Sequence, residues 1–420
     1  MKERVIIAMS GGVDSSVAAA RLLHEGYDVI GVTLHLWDYP DNGSVKGRCC
    51  APEDVHDARR VADMLGFPHY AFDRRELFER EVVTPFVEEY LAGTTPSPCV
   101  RCNRGVKVAE LMALADRLDA KYVATGHYAR LEVSEEGRLN LLRSVDLNKD
   151  QSYFLHMLPD EILSRFLFPL GALDKKIVRK QAIALKLPGA SKGESQELCF
   201  VPTGRYDELV EKRAEARVRP GPIVGADGKV LGTHGGLHKF TRGQRRNLGV
   251  AVGERTYVVD IDPQTATVRL GKKEDLQTCH LELKDVALRD GVSLPLDAEV
   301  IVRYRGTRSR ARVTFVKGED TLTCAESLKK ARVNVSFEDP VMAPSPGQFA
   351  VFYEGERVLG GGLIVEPSNR DPRRTLGFGT NETKSNAESK LERVSGSIQP
   401  PSLGGGGETR PVPKARGTSS

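Results

Sequence analysis

Two patterns of apolar and polar residues follow one another along the chain. Up to about residue 127, short apolar runs alternate with longer segments in which apolar residues recur every three or four positions. The short runs predict strands in RVIIAM, DVIGVTLHLW, HYAFD and KYVATGH, and the longer segments predict helices over 15–23, 52–65, 76–91 and 108–118. This alternation predicts an α/β fold, a doubly wound parallel sheet with helices on both faces.

Proline and glycine refine the helix boundaries. Pro52 suits the first turn of its helix, and Gly66 is expected to end that helix. Pro85 lies inside the segment 76–91 and has no N–H to donate, so it should kink or split this helix.

The second pattern begins after a mostly helical stretch over 144–217, in which 175–187 is the clearest helix. Beyond Pro220, glycine turns separate short β-rich runs such as TYVVDID, ATVRLG, ARVTFV and QFAVFYEG. They predict a small central β domain over 217–280 and a β-barrel-like domain over 281–367, after a first domain over 1–216. The remainder, 368–420, is rich in Asn, Ser, Gly, Pro and charges, and we expect it to be disordered.

Composition narrows the class of protein. Of the 420 residues, 40% are hydrophobic and 28% are charged, as in soluble globular proteins. No apolar run approaches the roughly 20 residues of a membrane helix, and the initial MKERVIIAMSGG predicts a first strand rather than a signal peptide. We therefore expect a cytoplasmic protein. The net charge of +4 is too small to indicate nucleic-acid binding by itself.

The stretch AMSGGVDSS lies where the first strand passes into the first helix. Gly11 and Gly12 allow backbone N–H groups to converge on an anion, and the helix dipole favours phosphate there. Asp14 could hold a magnesium ion, and serine hydroxyls could donate to phosphate. No lysine follows as in the loop that handles a γ-phosphate. The alternative is an ordinary tight turn with an aspartate cap.

At this position S-G-G-x-D-S resembles the pyrophosphate loop of the ATP-dependent adenylating superfamily, the PP-loop ATP-pyrophosphatases. The resemblance implies cleavage of ATP between its α and β phosphates and transfer of AMP to a substrate oxygen. It does not indicate which substrate.

Cysteine supplies the second candidate chemistry. The seven cysteines are an odd number, which argues against a disulfide framework: Cys49, Cys50, Cys99, Cys102, Cys199, Cys279 and Cys324. Cys99 and Cys102 form a C-x-x-C pair before a helix that we expect to start shortly after Asn103, where a dipole would favour thiolates. A zinc site would need further ligands, and the chain has no second C-x-x-C. Cys199 is flanked by apolar residues, so by itself it predicts a buried inert thiol.

Together these motifs resemble the bacterial tRNA-specific 2-thiouridylases. The matching stretches, in order, are MSGGVDSSV, TPSPCVRCNRGVK, ATGHYAR, DQSYFL, LCFV, RGQRRNLG and PGQFAVFYEGE followed by LGGGLI. The resemblance extends to about residue 367 and does not include the tail.

This resemblance implies a sulfur-transfer reaction on tRNA. ATP with Mg²⁺ would adenylate O2 of the wobble uridine, which converts a poor leaving group into AMP. A persulfide on Cys199 would attack C2, and Cys102 would attack the inner sulfur to leave a Cys102–Cys199 disulfide. The implied partners are the anticodon region of tRNA and a persulfide sulfur-relay donor protein.

The family's binding residues correspond to two sets in this sequence. The ATP-binding set is Ala8, Met9, Ser10, Gly11, Gly12, Val13, Asp14, Ser15, Leu34 and Gly126. The set that contacts the target base or the rest of the tRNA is Ser97, Pro98, Cys99, His127, Lys149, Asp150, Gln151, Arg303, Tyr304 and Gln348.

Three alternatives remain at this point. The family often has an acidic residue where this chain has Cys99, and a third thiol would allow an iron–sulfur cluster on Cys99, Cys102 and Cys199. The protein could instead be another PP-loop ATP-pyrophosphatase, such as an amide-forming ligase, or a non-enzymatic RNA-binding module.

Basic residues of the second half fit an RNA backbone. Arg308, Arg310 and Arg312 would share one face of a strand, and the loop around Gly243–Arg245 is glycine-bearing and basic. The alternative for the arginines is a solvated strand face.

Overall fold

The computed structural model describes residues 2–38, 52–190, 198–201, 204–316 and 331–366. Cys49, Cys50, Cys324 and the predicted tail lie outside these ranges. Within them, no helix combines the length and the apolar character that a membrane crossing requires.

A parallel sheet forms the centre of the first half. Its strands and those of a hairpin beside it are β1 (Arg4–Ala8), β2 (Asp28–His35), β3 (His69–Asp73), β4 (Tyr122–Ala124), β5 (Ala129–Val133), β6 (Leu139–Arg143) and β7 (Phe166–Leu167). The order is β3-β2-β1-β4-β7, and each neighbouring pair is parallel, which confirms the predicted fold class. Strand order reverses between β1 and β4, and at such a point ligands bind beyond the carboxyl ends of the strands.

Helices cover both faces of this sheet. They are α1 (Val13–His24), α2 (Pro52–Leu65), α3 (Arg75–Phe78), α4 (Thr84–Leu91), α5 (Pro98–Cys102), α6 (Val108–Arg117), α7 (Asp160–Leu163), α8 (Lys175–Ala184) and α9 (Tyr206–Ala214). In β1, Val5 and Ile7 face a core with α1, α2 and α8, and Ile6 faces a second core with α4, α5 and α6. Both faces of β1 are therefore apolar, which explains its continuous hydrophobic run.

Two of the predicted helical segments contain a π-helical turn. The segment over 76–91 is split, since a π-helical turn at Glu79–Val83 joins α3 to α4 just before Pro85, as the missing N–H predicts. The helix expected to start after Asn103 begins at Pro98 instead, and a π-helical turn at Asn103–Lys107 joins α5 to α6. Pro98 suits a first helical turn, so the C-x-x-C pair lies within the helix rather than before it.

Other parts of the first half differ from the prediction. The hairpin of β5 and β6 was not predicted, and β6 pairs with the last strand of the second half at Leu142 and Arg357. The stretch expected to be mostly helical contains β7, the two-residue edge strand of the parallel sheet. Two residues are too few to carry a hydrophobic period.

The second half contains two β structures, as predicted. The first is a four-stranded sheet of β8 (Gly221–Val224), β9 (Val230–His234), β10 (Tyr257–Asp262) and β11 (Thr267–Gly271). The second comprises β12 (Gln277–Leu288), β13 (Leu296–Ile301), β14 (Ser309–Phe315), β15 (Val333–Met342), β16 (Phe349–Glu354) and β17 (Arg357–Glu366). Because β12 pairs with both β15 and β17, these six antiparallel strands close into a barrel.

A buried ion pair fastens this barrel to the parallel-sheet part. Arg289 follows β12, and its Nη1 lies 2.6 Å from Oδ1 of Asp160 in α7. Its Nη2 donates to the carbonyl oxygens of His156, at 2.9 Å, and of Leu158. The side chains of Arg289 and Asp160 are only 2% and 10% exposed, so water can compensate little for the loss of either partner.

We expect Arg289→Leu to lower the free energy of unfolding by about 3–5 kcal/mol, because it leaves the Asp160 carboxylate buried without its cation. The measurement is the urea midpoint of unfolding. Arg312→Leu is the matched control, since the Arg312–Asp297 pair is 56% and 73% exposed and should contribute less than about 1 kcal/mol. Equal midpoints for the two variants would contradict this role of Arg289.

Candidate active site

The glycine turn after β1 closes against the backbone of α2. Gly11 has φ of +69°, and a Cβ added there would lie 2.3 Å from the carbonyl oxygen of Asp54. Only glycine satisfies both the left-handed backbone and this close approach. Gly12 is the N-cap of α1, so the first amide groups of a twelve-residue helix begin at this turn. Such amides have no partner within the helix and favour an anion.

Serine hydroxyls fix the shape of the turn. Ser15 Oγ donates to the carbonyl oxygen of Gly12 at 3.1 Å and accepts from the Ser10 amide at 3.2 Å. Ser16 Oγ donates to the same carbonyl at 2.9 Å. The hydroxyls of Ser15 and Ser16 therefore hold the backbone of the turn, in addition to any contact with phosphate.

Gly126 brings the end of β4 onto the start of α1. A Cβ at Gly126 would lie 3.0 Å from the Ser15 amide nitrogen and 3.3 Å from Cβ of Asp14. Ala8 ends β1, and Leu34 lies buried near the end of β2. The predicted ATP-binding residues therefore gather at the carboxyl ends of β1, β2 and β4, where the strand order reverses.

Asp14 has two partners that the sequence did not reveal. Lys175, at the first position of α8, places Nζ 2.6 and 2.7 Å from the two carboxylate oxygens. Tyr128 donates its hydroxyl to Oδ1 of Asp14 at 2.8 Å, and the lysine ammonium lies 5.7 Å from the centre of the tyrosine ring. Lys175 is only 7% exposed. A buried cation thus stands beside the predicted phosphate site, although the turn has no lysine of its own.

The two candidate catalytic cysteines belong to one apolar cluster. Cys102 is 5% exposed in α5, and Cys199 packs against the same cluster. Phe200 anchors the segment of Cys199. The centre of its ring lies 5.6 Å from that of Phe78 and 5.0 Å from that of Phe86. This extended cluster also contains Leu34, near the carboxyl end of β2.

Cys99 differs from Cys102 in its surroundings. Although three residues apart in one helix, Cys99 is exposed and Cys102 is buried. In the described ranges, no three side chains of His, Cys, Asp or Glu are arranged to hold a metal ion. Cys99, Cys102 and Cys199 therefore do not form a ready three-thiol site in this conformation.

The predicted tRNA-contacting residues near β4 differ in their environments. His127 Nδ1 lies 2.8 Å from Thr125 Oγ1, and burial, with a smaller contribution from the charge of Lys107, lowers the pKa of His127 to about 3. His127 is therefore neutral at physiological pH. Lys149 is half-buried, and Gln151 Oε1 accepts from the Tyr128 amide at 3.0 Å.

The Asp150 carboxylate accepts hydrogen bonds from groups within the protein. It is 7% exposed, and its Oδ2 accepts from Arg143 Nε at 2.9 Å and from Ser152 Oγ at 3.0 Å. Its Oδ1 accepts from the amides of Ser144 and Ser152 at 3.1 and 3.2 Å. This carboxylate organises the loop on which its two neighbours are presented.

The predicted tRNA-contacting residues of the barrel also differ from one another in exposure and in contacts. Arg303 is exposed, and Tyr304 packs its ring 4.4 Å from that of Phe154. The side-chain amide of Gln348 donates to the carbonyl oxygens of Thr95 and Pro96. The next two residues, Ser97 and Pro98, are buried. Of the arginines predicted on one strand face, Arg308 precedes β14 and pairs with Glu299 at 2.7 Å, and Arg312 pairs with Asp297.

A parallel sheet with this glycine turn at its switch point defines a nucleotide-binding domain of the PP-loop class. The family described as "tRNA methyl transferase HUP domain" matches residues 3–203. The "tRNA methyl transferase PRC-barrel domain" matches residues 208–272, and the "Aminomethyltransferase beta-barrel domain" matches 293–364.

Curated relatives identify the family. A protein named tRNA-specific 2-thiouridylase MnmA from Sorangium cellulosum is 59% identical over 86% of this chain and 92% of its own length. Another of the same name from Heliobacterium modesticaldum is 46% identical over 87% and 93%. The chain belongs to the tRNA-specific 2-thiouridylase family. A solved 4-thiouridine synthetase–RNA complex with bound ATP covers 51% of both chains at 14% identity and a TM-score of 0.31, too low to support an inference.

We expect Lys175→Met to weaken ATP binding at least about tenfold, a change of about 1.4 kcal/mol, because the Asp14 carboxylate would then repel the phosphates without its cation. The measurement is titration calorimetry with a non-hydrolysable ATP analogue. Lys176→Met is the control, since Lys176 is exposed one position further along α8. Equal affinity for wild type and Lys175→Met would contradict a role for Lys175 at the nucleotide.

Proposed function

We propose that the protein is a tRNA-uridine 2-sulfurtransferase that uses ATP to convert the wobble uridine of tRNA to 2-thiouridine. The proposal rests on the arrangement of the glycine cradle and the two cysteines. The glycine cradle lies at the carboxyl edge of the parallel sheet, and Cys102 and Cys199 share an apolar cluster with Leu34 of the same sheet. Family membership supports the same activity. These substrates favour the cytoplasm as its location.

In the first step, O2 of the uridine attacks the α-phosphate of ATP, and pyrophosphate leaves. The amides at the start of α1 would bind the phosphates, and Gly126 leaves room beside them. Asp14 is the carboxylate expected to hold Mg²⁺, but its oxygens already contact the Lys175 ammonium and the Tyr128 hydroxyl, so it could bind the ion only if these contacts rearranged. Lys175 would share in neutralising the phosphate charge, because its ammonium already contacts both oxygens of Asp14.

In the second step, the outer sulfur of a Cys199 persulfide attacks C2 of the adenylated base, and AMP leaves with its oxygen. The Cys102 thiolate attacks the inner sulfur, which breaks the S–S bond and leaves 2-thiouridine and a Cys102–Cys199 disulfide. A thiol reductant then reduces this disulfide, and a sulfur-relay protein restores the persulfide. Cys102 is buried in the apolar cluster and Cys199 is half-buried against it, so these apolar surroundings would limit the access of water to the activated base.

The tRNA would bind across the face that presents the residues discussed above. Lys149 and Arg303 would contact the phosphate backbone, and His127, Gln151 and Tyr304 would contact bases or sugars through hydrogen bonds and stacking. Ser97, Pro98 and Cys99 lie at the start of the helix that carries Cys102. Of these three, Cys99 is exposed, so it is the residue that a uridine flipped towards Cys102 would meet first.

We expect Cys102→Ser and Cys199→Ser to abolish 2-thiouridine formation, because each removes a thiol that the second step consumes. Nucleoside analysis of tRNA from a deletion strain carrying each variant measures this. Cys279→Ser, in barrel strand β12, is the matched control and should restore the modification. Restoration by Cys199→Ser would exclude Cys199 as the sulfur carrier.

Two further measurements separate the mechanisms. The Cys199→Ser protein should still release pyrophosphate from ATP in the presence of tRNA, because adenylation precedes sulfur transfer. If the persulfide is the sulfur source, Cys99→Ser should retain turnover at saturating tRNA and change at most the KM for tRNA, whereas a cluster on Cys99, Cys102 and Cys199 would lose a ligand. Iron and sulfide in anaerobically purified active protein, together with loss of activity in Cys99→Ser, would favour the cluster.

A further inference from the structure

A turn of the barrel domain holds the chain immediately before the helix of Cys102. The turn is Ser345–Gln348, between β15 and β16, and the held residues are Thr95 and Pro96. Gln348 Nε2 donates to the carbonyl oxygen of Thr95 at 3.0 Å and to that of Pro96 at 2.9 Å. In the opposite direction, the Thr95 amide donates to the Pro346 carbonyl at 2.8 Å. Three hydrogen bonds thus connect two domains at this point.

The held segment depends on donors from elsewhere. Pro96 and Pro98 have no N–H, so the residues around Ser97 can form few backbone hydrogen bonds of their own. Pro96, Ser97 and Pro98 are nevertheless buried, and a buried carbonyl group without a donor is costly. The side-chain amide of Gln348 supplies a donor to the carbonyl of buried Pro96 and another to that of half-buried Thr95.

Gly347 permits the close approach that these bonds require. Its φ is +90°, and an added Cβ would lie 2.7 Å from the Thr95 carbonyl oxygen. The turn is itself fixed to β17, since the Gly347 amide donates to Ile364 O at 3.0 Å and the Ile364 amide donates to Gln348 O at 2.8 Å. The side chain of Gln348 therefore projects from a rigid support.

We propose that Gln348 is a positioning residue for sulfur transfer: it fixes the start of the Cys102 helix and thereby the place of the Cys102 thiol. This role rests on the proposed function and differs from the tRNA contact expected for Gln348. A tRNA contact would affect the enzyme only when tRNA is bound. The positioning role acts in the tRNA-free protein, through the carbonyl oxygens of Thr95 and Pro96.

Two variants of Gln348 test the proposal. Gln348→Ala removes the donors, and Gln348→Glu keeps the shape but presents carboxylate oxygens to two carbonyl oxygens. Gln264→Glu is the matched control, because Gln264 is exposed in the central domain. Gly347→Ala should have the same effect as Gln348→Ala and in addition strain the turn.

The first measurement is amide hydrogen exchange in the tRNA-free, full-length proteins, followed by mass spectrometry of peptides covering residues 94–105. We expect faster exchange there in both Gln348 variants, with unchanged exchange in peptides from β1. The second is single-turnover thiolation at saturating tRNA and ATP. We expect the single-turnover rate to fall by about ten- to a hundredfold, because a displacement of a reacting group by about 1 Å slows a reaction by factors of this size. The KM for tRNA should change little.

Unchanged exchange over residues 94–105 together with a raised KM for tRNA would overturn the proposal and leave Gln348 as a tRNA contact. Faster exchange with an unchanged single-turnover rate would also overturn it, because the segment would then move without consequence for the thiol. If the wild-type protein thiolates no tRNA, the proposed function fails, whereas the exchange result still shows whether Gln348 fixes the segment.

Discussion

The nucleotide cradle depends on two places where main chain meets main chain with no side chain between. At Gly11 the turn after β1 reaches the carbonyl oxygen of Asp54, and at Gly126 the end of β4 reaches the first turn of α1. Both contacts lie where the order of the parallel strands reverses. They bring α1, α2 and β4 together around the start of one helix, where the amide groups and the Asp14–Lys175 pair would act on the phosphates under the proposed function.

The second constraint is the apolar cluster around Cys102 and Cys199, which extends into the barrel. The cluster holding Cys102 and Cys199 continues into the barrel through Phe349, Val351 and Tyr353. The barrel is therefore part of the support for the two candidate catalytic thiols as well as a candidate surface for RNA. The buried Arg289–Asp160 pair and the Gln348 contacts fasten the same two domains at other points.

Local sequence patterns predicted most of this fold, and long-range contacts account for what they missed. The strands β1, β2 and β4 were predictable because buried parallel strands are continuous apolar runs. The short run HYAFD indicated β3, although its residues are half-buried or exposed, and Pro85 indicated the split helix. By contrast, Lys175 lies 161 positions from Asp14, and no local pattern indicates that they meet. The apolar neighbours Leu198, Phe200 and Val201 by themselves predict an inert Cys199. Its predicted reaction with Cys102 therefore rests on the resemblance to a family. Likewise, Asp150 matches a family contact, yet only the fold reveals its internal hydrogen bonds.

The most direct test of sulfur transfer between the two thiols is non-reducing peptide mapping after a single turnover. The protein would be loaded with isotopically labelled sulfur, mixed with tRNA and ATP without reductant, and digested. We predict label on the peptide of Cys199 before the reaction, label in tRNA afterwards, and a Cys102–Cys199 disulfide that forms only when both substrates are present. Labelled tRNA formed without that disulfide, or label carried on another cysteine, would contradict the mechanism.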